Sequence, residues 1–245
     1  MNTETPAPTS LETEPKLEWT FTLEQQEVLQ RIAVEMVTTA NQAQAKSVVF
    51  LDKSARPLSH IFEHVHQAIY PKQALPKFIF VNIGSEKVEI LAAAVGGVDD
   101  NESFGEYIKS ERDIARIYGQ DSTSQLQQLF KNGRNERRLV VDDFRVTGLT
   151  GRLAHTILNK ADPDNLYSTP FYFLDSPADQ AKFPGKVGKT AFPWHGSQTG
   201  VIDGQSHSFI SRVPTDPKIL RESQLVLKEL DKVVPGAVAR FKKAA

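Results

Sequence analysis

The sequence predicts an α/β fold: a Rossmann-like parallel sheet flanked by helices, with an appended C-terminal subdomain. Three observations lead there. Two short apolar runs, "SVVFLD" (Ser47–Asp52) and "KFIFVNIG" (Lys77–Gly84), bracket a helical stretch, "PLSHIFEHVHQAIY" (Pro57–Tyr70). Strand, helix and strand at that spacing make a βαβ unit, whose strands run parallel. A third apolar run, "LVVDD" (Leu139–Asp143), ends in two acids and leads into another helical pattern. From Ser176 onward Pro, Gly and Lys become frequent and the pattern loosens, which marks the appended segment.

Taken in chain order, residues 1–18 lack apolar periodicity and read as a disordered tail. The core is expected over 19–178 and the C-terminal subdomain over 179–245. Phe21–Ala45 reads as a helix, with Thr22 as its cap, Glu24 and Gln25 in its first turn, and Val28, Ile32 and Met36 at helical spacing. Ser47–Asp52 is a buried strand. Pro57–Tyr70 is a helix with Pro in its first turn, and Lys77–Gly84 is the second buried strand. Val88–Gly97 is apolar without a defined type. The polar excursion from about Val98 to Gln120 holds a short helical pattern, and "SQLQQLFKN" reads as helical. Leu139–Asp142 is a strand, Thr150–Lys160 a helix, Ser168–Asp175 a strand, and Asp216–Val233 a last helix.

Composition narrows the functional classes. The 245 residues carry 29 basic and 30 acidic side chains, a net charge of −1, so no global basic excess points to nucleic acid. There is no cysteine, which excludes disulfides, thiolate catalysis and Cys-ligated zinc. No apolar run is long enough to cross a membrane. The acidic, Pro/Thr-rich N-terminus lacks the basic start and apolar core of a signal peptide, so a cytoplasmic location is expected.

In a doubly wound sheet, ligands bind at the carboxyl ends of the parallel strands. Asp142 and Asp143 sit at such an end. Val146, Thr147, Gly148, Leu149 and Thr150 then open a helix, where unpaired backbone amides and the helix dipole favour an anion. Gly148 permits close approach of a phosphate, and Thr147 and Thr150 add hydroxyl donors. Two carboxylates repel a second phosphate but accept hydrogen bonds from a diol. A ribose 5-phosphate satisfies both halves. The alternatives fit worse: there is no Gly-Lys-Ser/Thr of a Walker loop, and no Gly-x-Gly-x-x-Gly follows a strand.

At these residues the chain resembles the type I phosphoribosyltransferase family. That family's motif is an apolar strand, two acids, two or three mostly apolar residues, then Thr-Gly-x-Thr. "VVDDFRVTGLT" matches it, with Arg145 at a usually apolar position. The resemblance covers roughly Ser47–Asp175, and it implies that Asp142 through Thr150, Arg145 included, bind phosphoribosyl pyrophosphate (PRPP). It further implies that the loop after the first core strand, "DKSARPL" (Asp52–Leu58), holds the pyrophosphate through Lys53 and Arg56. Here Ser54 and Ala55 stand where the family usually has a glycine, and the bland reading makes both cations ordinary exposed loop residues. The family also closes a flexible loop over the reacting centre. The Val98–Gln120 excursion occupies that place, with Lys109, Arg112 and Arg116 as candidate charges; their spacing equally fits one solvated helix face. Finally the family builds an acceptor-binding hood from variable segments. Thr190–Arg212 is the candidate, with Trp194 to stack on a planar base and His195 or Asp203 to bind its edge, unless Trp194 simply anchors the subdomain core.

The expectation is therefore an enzyme that transfers phosphoribose from PRPP to a nitrogenous acceptor, with Mg²⁺ carried mainly by the pyrophosphate. The alternative is a PRPP- or nucleotide-sensing regulator on the same fold. No DNA or membrane partner is expected; the acceptor stays open, and so does the oligomeric state, homodimers being common in the family. "HIFEH" (His60–His64) fits an inverted zinc-protease pattern, but His60, Glu63 and His64 lie off the apolar face of their helix and read as solvated, so no metal ligands are assigned. "RFKKAA" reads as a solvated helix end.

Overall fold

A computed structural model of the chain describes residues 20–51, 55–81, 122–130, 133, 135–144, 149–183 and 217–244. It has an α/β fold in which a parallel sheet is flanked by helices on both faces.

The chain enters through α1 (Leu23–Gln42). The Thr22 side chain accepts from the Gln25 amide, and the Gln25 side chain accepts from the Thr22 amide, so the expected cap is a reciprocal capping box. Next come β1 (Ser47–Leu51), α2 (Arg56–Ile69), β2 (Lys77–Val81), α3 (Ser122–Phe130), β3 (Arg137–Phe144) and α4 (Leu149–Ala161). The short strands β4 (Leu166–Tyr167) and β5 (Phe171–Leu174) follow, then a single-turn α5 (Pro177–Gln180), and finally α6 (Pro217–Asp231) and α7 (Val234–Ala244).

The sheet order is β2-β1-β3-β4, with β5 also pairing β3, and every pair is parallel. From β1 the chain crosses to one side to lay down β2, then returns past β1 to lay down β3 on the other. The order thus reverses between β1 and β3. The register Phe50↔Val141 brings the carboxyl end of β1 level with the acids of β3.

The strand expected over Ser168–Asp175 is β5 alone, beginning at Phe171, and the short β4 precedes the expected run. The Val140 amide donates to the Ser168 hydroxyl, 3.1 Å, where a carbonyl would continue the ladder. Pro170 has no amide to donate. β4 therefore pairs the amino half of β3 (Arg138↔Tyr167), and β5 resumes at Val141↔Phe171. The last helix expected over Asp216–Val233 is α6, and a further helix, α7, follows it. Pro235 fits the first turn of a new helix and cannot extend an old one, so the chain turns between α6 and α7.

Alternation along the central strands feeds two cores. Val48, Phe50, Leu139 and Val141 face α1, α2, α6 and α7, where Leu29, Met36, Leu58, Phe62, Leu230 and Ala237 are buried. Val49, Leu51 and Val140 face α3 and α4, against Leu126, Phe130, Leu153 and Ile157. Of the segment assigned to a C-terminal subdomain, residues 217–244 thus share the core of the first face. Buried Glu229 on α6 accepts the Phe21 amide at 3.1 Å and ties this pair of helices to the start of α1.

The amino end of the sheet is closed by a buried polar cluster. Arg138 lies over the Phe130 ring, 4.4 Å from its centroid, with Asp162 and Glu136 at 3.7 and 3.6 Å. Tyr167 donates to Asp162 at 2.5 Å, and Asn165 bridges Gly133, Asp162 and the Glu136 amide. Burial and the Asp162 hydrogen bond push the Tyr167 phenol well up, so it stays a neutral donor.

Candidate functional site

The opposite, carboxyl end of the sheet holds those of the singled-out residues that are described. Asp142 and Asp143 lie in the last turns of the pleat of β3, and both are buried. The Asp143 amide donates to Oδ1 of Asp142 at 3.0 Å. By strand alternation the two side chains leave opposite faces of the sheet: Asp142 shares the face of Val140, and Asp143 that of Val141. The pair therefore straddles the strand end. Burial raises the Asp142 carboxyl well above its ordinary value of 3.8, and the neighbouring Asp143 raises it further; the Asp143 amide opposes both. Two adjacent buried carboxyls hold a proton between them more readily than two negative charges. A ligand that donates hydroxyls would reverse this balance, because hydrogen bonds to the charged form favour it.

Arg56 is the first residue of α2, five positions beyond the end of β1. Its guanidinium lies over the Phe80 ring, 3.9 Å from the centroid. Phe80 is the penultimate residue of β2, so the cation is held at the carboxyl edge by an aromatic face. Neither α2 nor α4 has an acidic residue in its first turn. Neither first turn therefore adds a negative charge that would oppose an anion at the helix dipole.

Leu149 and Thr150 are the first two residues of α4, as the strand–turn–helix reading requires. Lys53, Lys109, Arg112, Arg116, Arg145, Val146, Thr147, Gly148, Trp194, His195 and Asp203 lie outside the described residues, as do the expected closing loop and the Thr190–Arg212 hood segment. Of the expected site, then, the fold brings together Asp142, Asp143, Arg56 and the start of α4.

Two features escaped the sequence reading. One is Gly151, in the first turn of α4. A β-carbon there would lie 2.2 Å from the Tyr172 hydroxyl and 3.0 Å from a Pro170 side-chain atom, so only glycine lets α4 start this close to β5. The register Asp142↔Tyr172 puts that contact beside the acids. A glycine inside a helix, just after "TGLT", was the available signal. The other is the company kept by His60 and His64. They are less solvated than expected, because the end of α6 reaches them and brings Asp231 against both rings.

A concavity of about 530 Å³ also opens between α1 and β5, lined in part by Arg31, Glu35, Phe171, Tyr172 and Asp179. Its cation is already engaged: Arg31 pairs with Asp179 at 2.6 Å and with Glu35 at 3.1 Å. It offers an anion less than the carboxyl edge does.

No protein-family model, curated protein or solved structure matches this chain. Its chemistry has to be read from the carboxylate pair, the cation and the helix start that the fold assembles.

Proposed function

We propose that the chain binds PRPP at the carboxyl edge of β1 and β3 and transfers its phosphoribosyl group to a nitrogenous acceptor. The observation that carries this reading is the buried Asp142–Asp143 pair at the strand end where the sheet order reverses. A reversal of this kind opens a crevice between neighbouring strand ends, and ligands of doubly wound sheets bind there. The pair suits the 2- and 3-hydroxyls of a ribose. The turn into α4 suits its 5-phosphate, and Arg56 with Lys53 suits the pyrophosphate.

In the reaction the C1–O bond to pyrophosphate breaks, and its electron pair leaves with the pyrophosphate oxygen. The acceptor nitrogen supplies the electron pair of the new C1–N bond and gives up a proton. Positive charge builds on the ribose ring as the bond opens, and the adjacent carboxylates stabilise it. Arg56 stabilises the negative charge that grows on the leaving group. The carboxylate oxygens also make a hard donor set compatible with Mg²⁺, which would neutralise pyrophosphate charge when bound. Otherwise the protein contributes position and orientation.

The test is calorimetric titration of PRPP with Mg²⁺ into the wild type and into an Asp142→Asn/Asp143→Asn double variant. Binding by the wild type and none by the variant is expected. No wild-type binding at millimolar PRPP overturns the reading. With binding in hand, pyrophosphate release across a panel of nitrogenous acceptors identifies a transferase, whereas binding without release identifies a sensing regulator.

A further inference from the structure

His60 and His64 are four residues apart on α2, so their rings share one face of the helix. The rings meet edge to face, with centroids 4.2 Å apart. The last residue of α6, Asp231, comes from 171 positions along the chain and reaches both. Its Oδ1 lies 2.7 Å from Nε2 of His60 and 3.6 Å from Nδ1 of His64. All three donor atoms fall within 4.8 Å of one another. Nδ1 of His64 is buried yet makes no hydrogen bond. A buried polar atom without a partner is costly, and here it points into a cluster of other donors.

We propose that His60, His64 and Asp231 bind a late first-row divalent cation, zinc foremost. Two imidazoles and one carboxylate form a borderline donor set that suits zinc and its neighbours rather than magnesium or calcium, which prefer oxygen alone. Tetrahedral bonds of about 2.0–2.1 Å place neighbouring ligand atoms roughly 3.3 Å apart. The two Asp231 distances, 2.7 and 3.6 Å, bracket that spacing, and a slight shift of the carboxylate from His60 toward His64 evens them. The side chain has room to do so, being 53% exposed at the end of its helix. Water fills the remaining position on that open side. Competing charges nearby are occupied: Lys232 pairs with Glu229, and Glu63 accepts from Gln67. The bound cation pins the second turn of α2 to the turn between α6 and α7. It acts as a staple between two helices and does not depend on PRPP.

Chelator-stripped full-length chain is titrated with Zn²⁺, without PRPP or Mg²⁺, in competition with a chromophoric chelator. The same samples are followed by thermal unfolding and by the visible absorption of Co²⁺. Wild type is expected to take up a single zinc ion, to gain thermal stability and to colour with Co²⁺. His60→Ala and Asp231→Asn are expected to lose more than about tenfold in affinity along with the Co²⁺ band. His155→Ala, whose ring contacts Asn159 on α4 instead, retains both. Asp231→Asn is exposed and conservative, so its result stands even if a histidine variant folds poorly. The proposal is overturned if the wild type binds no zinc at micromolar concentration. It is equally overturned if the variants bind as tightly as the wild type.

Discussion

Gly151 and Tyr172 meet where no side chain could be added: a β-carbon on the glycine would fall 2.2 Å from the tyrosine hydroxyl and 2.9 Å from the ring carbon that bears it. The start of α4 is thereby seated on β5, next to the strand pair that carries Asp142. Gly151→Ala forces Tyr172 or the helix aside. Overpacking of this kind costs about 1–3 kcal/mol, partly offset by the better helix propensity of alanine. A net loss of about 1 kcal/mol in urea unfolding is expected, together with weaker PRPP binding. The Gly151→Ala/Tyr172→Ala double variant should recover part of the binding; if it recovers none, the tyrosine is not what excludes the β-carbon.

Asp142 carries a second, pH-dependent signature. Its folded pKa is raised by burial and by Asp143, so above 3.8 the native state holds a proton that the unfolded state has released. Stability then falls as pH rises from 3.8 toward the raised value. Asp142→Asn removes that slope. The variant should gain on the wild type as pH rises through this window, while it loses PRPP binding. Equal slopes in urea unfolding of the two proteins would contradict the buried, protonated pair.

His66 works in the opposite direction. It is buried on α2 with its ring stacked 5.8 Å from that of Phe62, and burial lowers its pKa below 6.5. Below 6.5 the unfolded chain takes up a proton that the native ring resists. The stability His66 confers is therefore present at neutral pH and lost as pH falls through the folded value. His66→Phe keeps the aromatic packing and should flatten the acid side of the stability profile. Urea midpoints between about pH 5 and 7.5, bracketing the ordinary histidine value, check it.

Arg138 belongs to the amino end of the sheet, far along β3 from the acids. Its Nε and Nη1 atoms are buried without a hydrogen-bond partner, and its stabilisation comes from the Phe130 and Tyr167 faces and from nearby Asp162 and Glu136. Removing one member of such a buried cluster costs about 3 kcal/mol. Arg138→Ala should show a loss of that size in denaturation, with PRPP affinity unchanged in titration of the folded protein.

Much of this arrangement is legible in the sequence. Thr22 with Gln25 announced the start of α1, because a capping box needs only residues three apart. The apolar runs of β1, β2 and β3 were readable because a doubly covered sheet tolerates few polar residues. Asp142 and Asp143 stood out as charges at the end of such a run. What stayed hidden depended on distant partners. The break between β4 and β5 turns on a hydroxyl of Ser168 replacing a carbonyl opposite Val140, which no local pattern encodes. The need for Gly151 is set by Tyr172, and the environment of His60 by Asp231. The span of α6 was readable, but beyond it only "RFKKAA" was read as a helix end, and α7 as a separate helix was not.

Among the described residues, the margin of the sheet formed by β4 and β5 is interrupted, with a consequence for behaviour at high concentration. A continuous edge strand presents an unbroken row of amides and carbonyls on which another chain can template itself. Here Pro170 removes a donor and β4 spans just two residues before the ladder stops. A foreign strand arriving along this side can align with β4 or with β5, but not register with both. The irregularity that frustrates strand prediction therefore also works against fibrillar self-association.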